Sequence, residues 1–470
     1  MKREAIAWVL ILGALASGVV RAGPDATIPS TPAGEVFSAW LAAANSGDLA
    51  QVQAFDDRYH DKTPAQYVVG WHDQFGGFEV LRIEKSSELS LSALLEGKDI
   101  EQAFLLDLSL SAADPATVES LKIPGVALPP ELAPARMTQA AAVAAVQART
   151  DELAKQDRFS GAILIAQRGR ILLERGWGLA DRATGEPVKL DTLFRIGSMN
   201  KMFTAIAILQ LAQSGKVALQ NTVGTYLPDY PNRDVAEKVT LRELLNHTGG
   251  TGDIFGPQFD ANRAMLKANA DYVKLYGKRG LDHEPGKQDG YSNYGFVLLG
   301  EVIERVSGMS YYDYVEQHIF KVAGMHSTAS PPETLEIASR AIGYMKQDGA
   351  WVDDKDKLPY RGMAAGGGCS TVGDLFKFAQ ALEHGKLVSG ALLHEATEPQ
   401  NNGRWYGYGF MVSGDESPRY YGHEGGAPGM NGNLRIFPDL GVVIVVLSNL
   451  DPPAADRLMD FYSLRMPILP

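Results

Sequence analysis

From Met202 to Ala212 the chain is apolar on nearly every side, and a helix without a polar face must lie inside a large core. The residues at its mouth are of another kind: Phe194-Arg195-Ile196-Gly197-Ser198-Met199-Asn200-Lys201. Ser198 and Lys201 stand three apart, so on a helix both side chains share one face. A buried helix desolvates its first-turn lysine, which disfavours the ammonium and moves the pKa toward neutrality. A neutral Lys201 amine beside the Ser198 hydroxyl would be a base next to its own nucleophile. Asp191-Thr192 reads as the start of this helix and Gly215 as its end. The S-x-x-K spacing also suits a surface serine and lysine on the first turn of a core helix, so further motifs have to decide.

Two are present. Tyr291-Ser292-Asn293 follows the turn Glu284-Pro285-Gly286-Lys287 and opens a second buried helix, Tyr294 to Ile303. It offers a phenol for proton transfer and an amide to orient a carbonyl or the lysine; Tyr291 as packing and Asn293 as a helix cap are the plainer uses. His423-Glu424-Gly425-Gly426 precedes two buried strands that turn at Pro438-Asp439-Leu440-Gly441. Its glycines allow close backbone approach to a ligand and leave N–H groups for an oxyanion, while His423 alone would pass for a turn residue.

In this order and at these intervals, the three motifs resemble the serine β-lactamase-related family of class C β-lactamases, D,D-carboxypeptidases, D-aminopeptidases and related esterases. Leu244-Leu245-Asn246-His247-Thr248-Gly249-Gly250 is similar to the family's "LLxHTSG" turn, and Ala365 to Leu375 to its "AGGxxST..DL" segment. The resemblance covers roughly residues 136 to 470. It implies Ser198 as the acylated nucleophile, Lys201 as its base and Tyr291 as the proton shuttle. Asn293 would bind a substrate carbonyl and help hold Lys201, and Gly425 would support the substrate. The oxyanion hole would be the backbone amides of Ser198 and Gly426. His423 takes the place of the family's K-T-G lysine and is expected to hydrogen-bond Tyr291 or substrate. At that motif Glu424 would sit near a substrate carboxylate and repel it, which favours esters, amides or peptides over β-lactams. No cofactor and no metal is expected. The alternative is a penicillin-binding-type sensor or non-catalytic ligand-binding protein, against which the complete Ser-Lys-Tyr set argues.

The implied architecture is α+β: a mainly antiparallel sheet flanked by helices, with an all-α lobe inserted from about 205 to 365. Gly161 to Ala166 and Ile171 to Trp177 form its first hairpin through Arg168-Gly169, in one sheet with the closing strands. The 470 residues exceed one domain, and the net charge of −12 argues against nucleic acid or an anionic membrane as partner. A small-molecule or peptide substrate fits; the oligomeric state is open. Residues 1–22 read as a signal peptide cut after Ala22, hence a secreted or periplasmic protein without membrane insertion after cleavage. The single cysteine, Cys369, can form no internal disulfide and reads as structural.

Residues 23–128 read as a small α+β domain, loosely like the NTF2-like cone fold. Helices Val36 to Ala44 and Leu49 to Phe55 precede strands Phe78 to Lys85, Leu89 to Leu95, Ala103 to Leu110 and Val118 to Ile123. His60 and His72 read as loop histidines. Residues 129–136 are a Pro-rich linker, and an Ala-rich helix from Met137 opens the catalytic domain, 137–470. His247 reads as a turn residue, and Trp405, Tyr406, Tyr408 and Phe410 as a packed strand or cleft rim.

Overall fold

A computed structural model describes residues 27–347, 350–414 and 417–468, so the expected signal peptide lies outside the described residues. The chain divides into two compact units, 1–133 and 134–470.

In the first unit three helices, Pro32–Ser46, Leu49–Tyr59 and Ala65–Phe75, precede a sheet of five antiparallel strands. Thr31 caps the first helix by accepting from Gly34 N–H, and Asp48 caps the second through Gln51 N–H. The third helix was not expected. It carries Gly70, which lowers helix propensity, but Val68 and Phe75 bury one side of it and tertiary packing prevails. His72 therefore lies on a helix rather than in a loop. Phe37, Trp40, Phe75, Phe78 and Phe104 fill the core. At the end of this unit Leu128 and Leu132 pack against Leu81, Leu94 and Ala103 of its sheet.

The second unit is built on one six-stranded antiparallel sheet. Its order is Met411–Val412, Tyr421–Ala427, Met430–Phe437, Val442–Ser448, Gly161–Gln167, Arg170–Trp177, so the first and last strands of the catalytic sequence meet in one sheet. Val445 pairs with Leu164 and Leu434 with Val445. Arg168 and Gly169 join the N-terminal hairpin with φ of 48° and 78°, the left-handed pair that a two-residue turn requires.

Strand alternation splits the core into two layers. Leu164, Leu434, Ile436 and Val445 face the large cluster that contains the helix Asn200–Gln213. Ile163, Ile165, Ile444 and Val446 face the other way, against helices Gln139–Lys155 and Asp456–Ser463. Each buried aliphatic or aromatic side chain contributes about 1.5–3 kcal/mol.

The apolar run expected to be buried is buried: Met202, Phe203, Ala205 to Leu209 and Leu211 are all at most 2% exposed. Asp191-Thr192 does not start this helix. Thr192 Oγ1 instead accepts from Lys189 N–H, a two-residue strand Phe194–Arg195 pairs with Cys369–Ser370, and a 3-10 turn Gly197–Met199 leads into the helix at Asn200. The helical lobe ends at Ala323 rather than near 365, and a short hairpin, Tyr344–Gln347 with Ala350–Asp353, follows it.

Candidate active site

The turn that carries Ser198 is gripped from two sides by backbone. Gly367 N–H donates to Gly197 O at 3.0 Å. From the sheet, Gly425 approaches so closely that a Cβ on it would lie 2.1 Å from Ile196 O and 3.1 Å from Ser198 N. Only glycine fits there, because backbone cannot yield as a side chain can. Gly425→Ala is expected to push the strand off the nucleophile turn and lower kcat by at least about a hundredfold while leaving the fold intact, measured as ester turnover beside circular dichroism.

Lys201 is completely buried and its Nζ has three neighbours. Ser198 Oγ is at 3.0 Å, Asn293 Oδ1 at 2.7 Å, and the Ala365 carbonyl is the third. The orientation of the Asn293 amide is fixed because its Nδ2 donates to Asp253 Oδ1 at 2.8 Å, and a carboxylate only accepts. A neutral amine has two N–H donors and one lone pair. Two pure acceptors, Asn293 Oδ1 and Ala365 O, take the donors, which leaves the lone pair for the Ser198 hydroxyl proton. Burial lowers the Lys201 pKa to about 7, and the Asp253 charge opposes that shift in part. An amine with this pKa beside a hydroxyl can take its proton near neutral pH.

Tyr291 supplies the next group. Its ring lies 4.8 Å from Lys201 Nζ, and its hydroxyl is hydrogen-bonded to Ser198. The ring edge reaches solvent, 39% of the residue being exposed, but desolvation at the hydroxyl lifts the phenol well above its ordinary pKa. Tyr291 is therefore a proton donor in the resting state, not a phenolate base. Ser292, rather than Asn293, caps the helix Asn293–Ser307, accepting from Gly295 N–H.

His247 does more than hold its turn. It is buried with φ of 63°, its Nδ1 accepts from Ser292 N–H at 3.1 Å, and its ring lies 4.2 Å from that of Tyr291, tilted by 35°. Burial keeps it neutral. The LLNHTGG motif pointed to this turn; nothing in it showed that His247 backs Tyr291.

His423 is placed differently from expectation. It faces the buried side of the strand Tyr421–Ala427 and binds the Tyr406 hydroxyl through Nε2 at 2.8 Å, not Tyr291 and not the cleft. Nδ1 donates to Glu424 O, so Nε2 accepts, and burial with nearby Lys201 lowers its pKa to about 3. Tyr406 in turn packs on His247 at 4.4 Å, which makes His423 part of the wall behind the site. Glu424 also departs from expectation. It pairs with Asn433, whose amide is held by Asp456 of the last helix, so it projects from the opposite sheet face to His423 and Gly425. Glu424 thus reaches the site as a charge that helps raise the Tyr291 pKa, not as the carboxylate beside the substrate that the motif led one to expect. Trp405, Tyr406 and Phe410 are packing residues, as expected, and Cys369 is buried with its thiol pKa raised by desolvation.

Beside Ser198 opens a cavity of about 420 Å³. Its walls are largely apolar, with Ile254, Phe255, Phe259, Leu358, Met363 and Met430 among them. Among the described residues no cluster of His, Cys, Asp and Glu could hold a metal ion, and no helix is long and apolar enough to cross a membrane.

A serine paired with a desolvated lysine under an antiparallel sheet and a helical lobe defines a serine hydrolase of β-lactamase-like fold. The family model described as Beta-lactamase matches residues 142–465, and the chain belongs to that family. It is 32% identical over 326 residues to penicillin-binding protein 4* of Bacillus subtilis, spanning 65% of this chain and 71% of that one. Among solved structures, a penicillin binding protein from Bacillus halodurans superposes with a TM-score of 0.61 at 30% identity, covering 67% of this chain and 99% of the other. A D-stereospecific amidohydrolase from Streptomyces sp. gives 0.57 at 27% identity, covering 67% and 97%. A D-amino acid amidase from Ochrobactrum anthropi gives 0.58 at 25%, covering 69% and 98%.

Proposed function

We propose that this protein hydrolyses esters or amides with an apolar acyl part through an acyl-serine intermediate, as an esterase or D-peptidase rather than an efficient β-lactamase. The observation that carries this reading is the saturated environment of Lys201, whose one free lone pair is aimed at Ser198. Ser198 Oγ attacks the carbonyl carbon as its proton passes to Lys201 Nζ. The oxyanion is met by the amides of Ser198 and Gly426, a pairing supported by the closeness of Gly197 and Gly426, where a Cβ on the former would lie 3.3 Å from the amide nitrogen of the latter. Tyr291 passes a proton to the leaving group as the C–O or C–N bond breaks. Lys201 returns its proton to Tyr291; water then attacks the acyl-serine, its proton passing through Tyr291 and Lys201 to Ser198 Oγ as the acyl C–Oγ bond breaks and the acid leaves.

The cavity beside Ser198, with Ile254, Phe255, Phe259 and Met430 in its walls, supports an apolar acyl group. Relatives named as D-stereospecific amidohydrolase and D-amino acid amidase make D-amino acid amides a second class to try. Secretion or a periplasmic location rests on the N-terminal sequence. The first unit is read as a separate NTF2-like module, supported by its three helices and antiparallel meander.

The test sets p-nitrophenyl acetate, butyrate and hexanoate beside nitrocefin and a D-Ala-D-Ala peptide. Rising kcat/KM with acyl length, up to about fourfold per methylene, is the expected result. Nitrocefin turnover faster than that of every ester would overturn the substrate reading. A stable, non-recovering label from fluorescent penicillin without ester turnover would favour the alternative of a penicillin-binding-type sensor; the Bacillus relatives are named as penicillin-binding proteins.

A further inference from the structure

We propose that Asp253 is a positioning residue of this site: from outside the Ser-Lys-Tyr set it fixes which face Asn293 turns to Lys201, and so keeps the lysine's two N–H groups bound and its lone pair free. The inference rests on the mechanism proposed above for Ser198 and Lys201.

An asparagine amide can rotate by half a turn and present nitrogen where oxygen stood. At Asn293 that rotation would set two donors against each other, Nδ2 against Nζ. Asp253 Oδ1 forbids it by accepting from Asn293 Nδ2 at 2.8 Å. The segment that carries Asp253 is itself tied down. Arg279 donates through Nη1 to the Asp253 carbonyl at 2.6 Å, with its guanidinium over the rings of Tyr276 and Tyr294. The Tyr276 hydroxyl donates to Ile254 O at 2.8 Å. Ser292 Oγ donates to Gly252 O and meets Thr251 Oγ1 at 2.9 Å, which ties this segment to the start of the helix that bears Asn293. The carboxylate itself is oriented by Ile254 N–H, which donates to the same Oδ1 at 2.6 Å, and Asn293 Nδ2 meets it there with its own Oδ1 facing Lys201.

Asp253 also contributes charge. The polar and titratable groups around Lys201 are Ser198, Tyr291, Asn293, His247, His423 and Asp253. Burial keeps both histidines neutral and Tyr291 a phenol, so Asp253 is the anion that acts on the lysine. It favours the ammonium, and removing its charge makes the lysine lose its proton at lower pH.

Two variants separate charge from orientation. Asp253→Asn keeps an oxygen to accept from Asn293 but loses the charge; Asp253→Ala loses both. The acid limb of kcat/KM for p-nitrophenyl acetate is expected to move down by about half a pH unit or more in Asp253→Asn. In Asp253→Ala, kcat is expected to fall by more than about tenfold at every pH, with a smaller loss in Asp253→Asn. An acid limb in Asp253→Asn that coincides with wild type would overturn the proposal, as would an Asp253→Ala enzyme with wild-type kcat. Ser198→Ala in the same assay keeps the two readings apart: if it also turns over the ester, the acyl-serine reading itself fails, whereas an inert Ser198→Ala with an unmoved Asp253 series removes only the role of Asp253.

Discussion

Ser198→Ala is expected to lower kcat on p-nitrophenyl acetate by about four orders of magnitude or more, leaving the fold and melting temperature close to wild type. Ser198 contributes little to packing: its hydroxyl serves Lys201 and Tyr291, and its turn is held by backbone contacts from Gly367 and Gly425 that do not involve the side chain. Loss should therefore appear in chemistry, not in stability. The measurement is burst and steady-state release of p-nitrophenol beside a thermal melt. An alanine enzyme with even a tenth of wild-type turnover would place the nucleophile elsewhere.

The second large effect concerns Lys201. Lys201→Met should abolish turnover, because the base and its lone pair are gone. It should also change how stability depends on pH. The folded-state pKa of Lys201 is about 7 against an ordinary lysine value of 10.5, so between those values the unfolded chain binds more protons than the folded one. Wild-type stability then rises with pH across that window, and the strain of burying the ammonium is largest below pH 7. A shift of this size corresponds to about 4–5 kcal/mol, at roughly 1.4 kcal/mol per pH unit. Methionine removes that slope but orphans Asn293 Oδ1 and Ala365 O, at about 1–3 kcal/mol each. Melting temperatures from pH 6 to 10 are expected to climb in wild type and run flatter in Lys201→Met. Parallel curves would mean that the lysine is not desolvated as its surroundings require.

The difference between what could be read from the residues and what could not follows from the range of the interactions. Ser198, Lys201, Tyr291 and Asn293 were legible because each lies at the mouth of a helix whose apolar residues demand burial, and because three-residue and two-residue spacings place them locally. The strands of the large sheet were legible for a similar reason: Val442 to Leu447 and Gly161 to Ala166 are apolar on both faces, as strands covered on both sides must be. His423 was assigned the wrong partner. Its direction is set by register, and Leu434 across the ladder puts it on the face of Tyr406. The same register turned Glu424 away. Asp253 carried no signal at all, since it reaches Asn293 across forty residues of chain through a segment anchored by Arg279 and Tyr276. Gly425 was expected to support the substrate; what the sequence could not show is that it must stay a glycine, because Ile196 O lies in the way of any Cβ.

Labelling with a fluorophosphonate, followed by peptide mapping, tests the central claim most directly. Wild-type protein should take one label per chain, on Ser198, with a rate that rises through pH 7 as Lys201 loses its proton, and Lys201→Met should label far more slowly. A label on any other residue, or a Ser198 label whose rate is the same with and without Lys201, would contradict the account.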